Sequence, residues 1–228
     1  MKKLALRSYA AAAALVAFTG FASPASAQDA GSWQVKVLGS AVLPDGKIDK
    51  VDLDLVGLPA GTQTKANDNY VPTVAIEYFF SPAVSLETIC CVTQHDVDAT
   101  TGLAAGSELV SNAKLIPATF TLKYHLNPGG VSPYIGAGPT YFLWIDANPG
   151  AFAKAAGADK TTMSDELGFA LQAGLDVPVN AKGMVVSLDA KRYFVGTTAR
   201  WYAGGTKVIQ TKHQLDPWVL SAGVGFRF

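Results

Sequence analysis

The chain has 228 residues, 49% of them hydrophobic and only 16% charged, with 18 basic residues against 18 acidic ones. That balance is apolar for a water-soluble domain, and the lack of net positive charge argues against a nucleic-acid partner. Past residue 27 no run of about 18 apolar residues occurs, so no membrane-spanning helix is expected, and a closed β-barrel is the other way to satisfy every backbone group in lipid.

Residues 1–27 read as a cleaved secretory signal. Lys2, Lys3 and Arg7 form a positive start, residues 10–21 an apolar centre, and Ala25-Ser26-Ala27 a small-residue cleavage site. Removing it takes three basic and no acidic residues and leaves 15 against 18, a net charge of −3. Residues 28–228 are then expected to form a single domain.

In chain order, eight alternating segments are predicted as strands. Residues 33–44 set Trp33, Val35 and Val37 against Gln34, Lys36, Leu38 and Ser40. After a long polar segment, residues 71–80 place Val74, Ile76, Tyr78 and Phe80 opposite Thr73, Ala75 and Glu77. A tight Ser81-Pro82-Ala83 turn leads into residues 84–95, where Leu86, Thr88, Cys90 and Val92 oppose Glu87, Ile89, Cys91 and Thr93. Residues 96–114 are expected as a loop. Strand residues 115–126 follow, then Asn127-Pro-Gly-Gly130, then strand residues 133–144. Residues 145–164 form a long alanine-rich loop with room for a short helix. Strands at 165–177 and 184–195 flank a short connection, and a fourth long segment at 196–212 precedes the last strand.

That last strand is the clearest. Trp218, Leu220, Ala222, Val224, Phe226 and Phe228 share one face, and Val219, Ser221, Gly223, Gly225 and Arg227 the other. One face is wholly apolar with an aromatic near each end, over a length suited to a tilted bilayer-crossing strand. Across the chain, connections alternate long and short, as in an all-β, eight-stranded antiparallel transmembrane barrel with short periplasmic turns and long extracellular loops. The outward face would meet outer-membrane lipid. Cys90 and Cys91 are adjacent, so their side chains point oppositely and their Cα atoms, about 3.8 Å apart, are too close for ordinary disulfide geometry. Both are read as small hydrophobes, and neither a metal nor another cofactor is expected.

The chain resembles the OmpW family of outer-membrane proteins, which includes AlkL-type transporters. The resemblance is carried by Val84-Ser-Leu-Glu87 with His95-Asp96, by Leu115-Ile-Pro-Ala-Thr119 with Lys123-Tyr124-His125, and by Pro133-Tyr-Ile-Gly-Ala-Gly138. Gly168 with Gln172-Ala-Gly-Leu-Asp176, and Asp216-Pro-Trp218 running to Gly223-Val-Gly225 and Phe228, complete it. Ile116, Pro139 and the cysteine pair depart from the common pattern. The resemblance implies an eight-stranded barrel with a hydrophobic channel that takes up small hydrophobic molecules. It also implies that the terminal aromatic, Phe228, is a recognition signal for the outer-membrane assembly machinery.

Inward positions divide by height. Lys36, Glu77, Glu87, Lys123, Asp176 and Arg227 lie near short turns or a terminus, with Asp189 and Lys191 somewhat higher; together they are expected to pair as a polar plug in the lower lumen. Above them Leu38, Val42, Ile89, Cys91, Phe142, Trp144, Tyr193 and Val219 predict an apolar cup opening outward, a site for a hydrophobic ligand. Pro72, Pro117 and Pro139 each remove a ladder donor in neighbouring strands, which predicts a weakened wall and a lateral exit into the membrane. Two further function classes are weighed. A structural or receptor barrel would place binding in the loops. An enzyme would need a nucleophile and base on adjoining strands, and His95, His125 and His213 show no such constellation in sequence, so no catalytic residue is assigned.

Overall fold

The computed structural model describes residues 30–179 and 182–228; the expected signal segment lies outside the described residues. In chain order the elements are β1 (Trp33–Leu43), β2 (Lys47–Asp54), β3 (Gln63–Ala66), β4 (Asn69–Ser81), β5 (Val84–Cys90), β6 (Thr93–Thr101), β7 (Glu108–His125) and β8 (Ser132–Pro149). Helix α1 (Ala151–Ala155) follows, then β9 (Lys160–Met163), β10 (Glu166–Pro178), β11 (Met184–Phe194), β12 (Gly196–Ala203), β13 (Thr206–Gln214) and β14 (Trp218–Arg227).

Eight antiparallel staves close on themselves in the order β1, β4, β5–β6, β7, β8, β10, β11, β14. β5 and β6 are two pieces of one stave, interrupted at Cys91-Val92. The last strand seals the barrel by pairing with β1 and β11, and Trp33 and Phe228 exchange both backbone hydrogen bonds. Closure matters because an open sheet edge in hydrocarbon would carry unsatisfied N–H and C=O groups.

Side chains alternate as the pleat requires. Along the lower part of β7, Phe120, Leu122 and Tyr124 are about half exposed, whereas Thr121, Lys123 and His125 are buried. The outward faces of the other staves are equally apolar, including Val37, Ile76, Ile135, Leu171, Leu188 and Leu220. Aromatics collect at both ends of this band: Trp33, Tyr78 and Phe80 stack in sequence near the short turns, and Tyr70, Tyr141, Phe194 and Trp218 stand near the other rim. Such belts mark the two membrane interfaces. The inside-out arrangement is the reverse of a soluble barrel.

The long segments depart from expectation. Three of those read as loops are largely strand. β2, β13, β12 and β9 form a four-stranded sheet above the membrane, and β3 pairs with β6. β6 and β7 simply continue upward beyond the rim, so the connection expected at residues 96–114 shrinks to a short hairpin end. Polar composition hid these strands because their outer face meets water and their apolar inner positions, such as Ile48, Trp201 and Ile209, are too few to make the continuous stripe of a lipid-facing strand. The alanine-rich segment does contain a helix, α1. The switch from stave to sheet occurs at Asp216, whose side chain accepts from the Val195 N–H at 2.8 Å and whose φ of 31° bends the chain.

Candidate functional site

The lower lumen is filled by an ion-pair network drawn from six of the eight staves, β1, β4, β5, β7, β10 and β11. Lys36 on β1 lies 2.9 Å from Glu77, 3.1 Å from Glu87 and 3.3 Å from Asp176. Lys123 on β7 reaches Glu77 at 2.9 Å and Glu87 at 3.0 Å, and Lys191 on β11 reaches Glu87 at 3.0 Å and Asp189 at 2.7 Å. Glu87 is thus shared by three ammonium groups. Each of these seven side chains is no more than 7% exposed. Buried charges at this density persist only with hydrogen bonds on the remaining lone pairs.

Neutral residues supply them. Gln172 donates to both Glu87 and Asp189 and accepts from the Thr121 hydroxyl. Ser187 and Gln34 donate to Asp176, and the Tyr134 phenol donates to Asp189 at 2.8 Å. The Tyr134 ring also underlies the Lys123 ammonium, 3.7 Å from its centroid. Gly174 makes room for that ring, since a Cβ there would overlap the phenol. Sequence reasoning missed Gln34, Thr121, Tyr134, Gln172 and Ser187; their inward parity near the short-turn ends of their staves was the available signal. Arg227 sits at the margin, only partly buried, where it stacks over Phe79 and donates to Gln34 rather than joining the carboxylates at ion-pair distance.

A serine, a histidine and a carboxylate also meet here, against the sequence expectation that none would. The Ser85 hydroxyl lies 2.9 Å from His125 Nε2, and Glu77 Oε1 lies 3.0 Å from the same nitrogen. A nucleophile–base–acid relay needs the acid on the other ring nitrogen. All three groups are also sealed inside the plug. The trio is a piece of the network.

Above the plug, paired hydroxyls form a floor: Thr119 with Thr140 at 2.7 Å and Ser40 with Ser221 at 2.7 Å. The lumen then turns apolar. Leu38, Val42, Ile89, Cys91, Phe142, Trp144, Tyr193 and Val219 all line one cavity, together with Leu115 and Pro117. Two polar atoms in its wall, Thr73 Oγ1 and Trp144 Nε1, are buried without a hydrogen-bond partner. The cavity differs from the expected open cup. Its free volume is about 40 Å³, little more than a water's share of the liquid, and Ala66, Val97, Ala113 and Leu215 cover it from above. The extracellular strands that sequence reading took for loops provide that cover.

The three prolines sit at three successive stave interfaces. On β7 the His125 N–H donates to Ala83 on the β5 side, so by two-residue alternation the Pro117 nitrogen faces the same stave. On β4 the Phe79 N–H donates to Ser32 on the β1 side, so the even-numbered Pro72 turns its nitrogen the other way, also toward β5–β6. The ladders stop accordingly. β4 pairs with β5 only as far as Val74↔Cys90, and β7 skips from Ile89↔Thr119 to Thr93↔Leu115. Higher up, the Asn69 amide bridges the first of these gaps by donating to the Gln94 carbonyl at 2.8 Å. Pro139 faces β7, where the pairing passes over Phe120 and Thr121. Cys90 and Cys91 are free thiols on opposite faces of the interrupted segment, one toward lipid and one toward the lumen.

A closed eight-stranded barrel with an apolar girdle, a pairing core and an extracellular cap defines an outer-membrane β-barrel protein. Comparison with known proteins agrees. The chain matches the OmpW family over residues 29–228 and belongs to it. It is 31% identical over 201 residues to the outer-membrane protein y4mB of Sinorhizobium fredii, covering 86% of this chain and 80% of that one. Its fold is similar to OprG from Pseudomonas aeruginosa, with a TM-score of 0.78 at 24% identity, covering 89% and 98% of the two chains. It is also similar to AlkL determined in lipid bilayers, with a TM-score of 0.69 at 21% identity, covering 92% and 96%.

Proposed function

We propose that the protein is a passive outer-membrane channel for small hydrophobic molecules, which enter from outside, occupy the apolar cavity and leave sideways into the membrane. The observation that carries this reading is the vertical order of the lumen. A fully paired plug closes the lower half, an apolar cavity lies above it, and the stave wall loses its ladder on both sides of Cys91-Val92 at the cavity's own height. A straight path down would have to break several buried ion pairs, each costly to disrupt. A path through the wall meets a strand segment with few hydrogen bonds to lose. Leu38, Val42, Ile89, Phe142, Trp144, Tyr193 and Val219 are the proposed ligand contacts, and Pro72, Pro117 and Pro139 mark the proposed opening. Because the cavity is narrow at rest, passage requires side chains and the adjoining wall to move apart.

The test is uptake of a graded series of hydrophobic compounds by liposomes or whole cells with and without the protein. Uptake should rise with the protein present and should depend on the cavity residues. No difference between the two preparations would overturn the reading. A second reading, a barrel whose extracellular part binds a partner, is favoured by the ordered sheet above the membrane. Polar replacements at Ile89 and Phe142 separate the two, since they impair transport and leave binding outside the barrel untouched.

A further inference from the structure

A second apolar cavity lies above the first, outside the membrane band, beneath the four-stranded sheet. Its wall is built from strand and helix residues that do not line the lumen cavity: Ile48 and Leu109, the α1 residues Phe152 and Ala153, and Trp201 and Ile209 on the sheet. Its free volume is about 110 Å³, larger than that of the lumen cavity. The space has a sequence cause. Ala153, Ala156, Ala158 and Ala203 stand along the wall where larger side chains would have filled it. Trp201 is held rigidly at 5% exposure, its indole N–H donating to the Leu109 carbonyl at 3.0 Å.

The polar groups at one end of this chamber are already satisfied. His213 Nε2 pairs with the Thr211 hydroxyl at 2.6 Å, and the Thr64 hydroxyl donates to the Gly46 carbonyl at 2.6 Å. A well-packed protein interior leaves few voids, and one of this size lined by apolar side chains accepts an apolar guest of benzene size rather than water. Only one layer of residues separates the chamber from the lumen cavity. Val97 lines both, and on β3 Thr64 faces the upper space and Ala66 the lower.

We propose that this chamber is a distinct binding site for a small apolar molecule, aliphatic or aromatic, that carries no polar group, a staging post that holds cargo before it reaches the lumen. The direction of travel rests on the transport reading above; the site itself rests on the chamber. Capture above the membrane rim gives an apolar solute a dry stop between water and the barrel interior.

The four tryptophans report on the question directly. Trp201 lines the chamber, Trp144 lines the lumen cavity, and Trp33 and Trp218 face lipid. Protein labelled with 5-fluorotryptophan in nanodiscs is titrated with toluene and followed by 19F NMR, with single Trp→Phe variants giving the assignments. The expected result is a saturable shift of the Trp201 signal, with Trp33 and Trp218 changing only in proportion to toluene dissolved in the lipid. Ala153→Leu, which fills the chamber, should weaken the Trp201 response at least tenfold and leave that of Trp144 in place. Ala158→Leu is the second filling variant should Ala153→Leu disturb the Trp33 and Trp218 signals. A Trp201 signal that tracks only the lipid-facing pair, or that is unaffected by a folded filling variant, overturns the chamber. Saturation at Trp144 alone overturns it while leaving the lumen reading standing. Saturation at Trp201 alone upholds the chamber and removes the lumen as a binding site.

Discussion

Pro72 and Pro117, on different staves, both turn a nitrogen without a proton toward the same two residues, Cys91-Val92. Restoring a donor on one side tests whether this is how cargo leaves. Pro117→Val should form the missing bond to the β5–β6 stave, worth about 0.5–1.5 kcal/mol. Amide exchange measured by mass spectrometry should then slow about tenfold across residues 90–93. Hydrophobic uptake should fall several-fold, and further when Pro72→Val is added. Slower exchange with undiminished uptake would remove the lateral exit.

The plug is predicted to act as a single unit centred on Glu87. Glu87→Gln leaves Lys36, Lys123 and Lys191 buried with one carboxylate fewer among them. Breaking one member of a buried ion-pair set costs about 3–5 kcal/mol. Urea unfolding in liposomes should show a loss of that order. Lys123→Met alone should be comparably harmful, and the double variant should cost clearly less than the two single losses added together. Additive losses would mean that the groups do not share one network.

Much of this was readable from the chain, and the remainder was hidden for identifiable reasons. Period-two alternation placed Val224 and Phe226 outward and Lys36, Glu77 and Asp176 inward, because a lipid-facing wall forces a strict division of side chains. It could not show that Gln172 would link Glu87 to Asp189, since contacts across the lumen depend on stave order and stagger. It also mistook β2, β12 and β13 for loops. Their residues carry charge and hydroxyls on faces that never meet lipid, as at Lys50, Thr197 and Lys212, so the apolar stripe that marks a membrane strand is missing. The capped cavity followed from that error: an open cup was expected because its roof is made of strands that polar composition concealed.

Two unsatisfied polar atoms in the cavity wall predict a preference among cargoes. Trp144 Nε1 is a donor without an acceptor, and Thr73 Oγ1 stands buried beside Pro72 in the same condition. A hydrophobic molecule carrying one carbonyl or hydroxyl can satisfy the indole as it passes. Trp144→Phe should therefore lower uptake of a medium-chain alcohol by about two- to tenfold relative to the alkane of equal length, the range expected for one net hydrogen bond. Ile89→Asn and Phe142→Asn should lower uptake of both. Equal loss of alcohol and alkane in Trp144→Phe would assign the indole a packing role alone.

Acid should loosen the extracellular sheet before the barrel, through His213. This ring is 5% exposed, and burial holds its pKa below the ordinary 6.5, with the Gly46 carbonyl opposing that shift only in part. In the folded sheet it is neutral where the unfolded segment would already bind a proton. Stability from this group is therefore complete above about pH 6.5, declines as pH falls from there toward the lowered folded value, and loses nothing further below it. Amide exchange of β2 and β13 should be faster at pH 5 than at pH 7.5, after correction for the intrinsic rate, while that of the β1–β14 pair stays level. His213→Gln, which cannot take up the proton, should remove the difference. An imidazole titration midpoint at or above 6.5 by NMR, or a pH effect that survives His213→Gln, would place the sensitivity elsewhere.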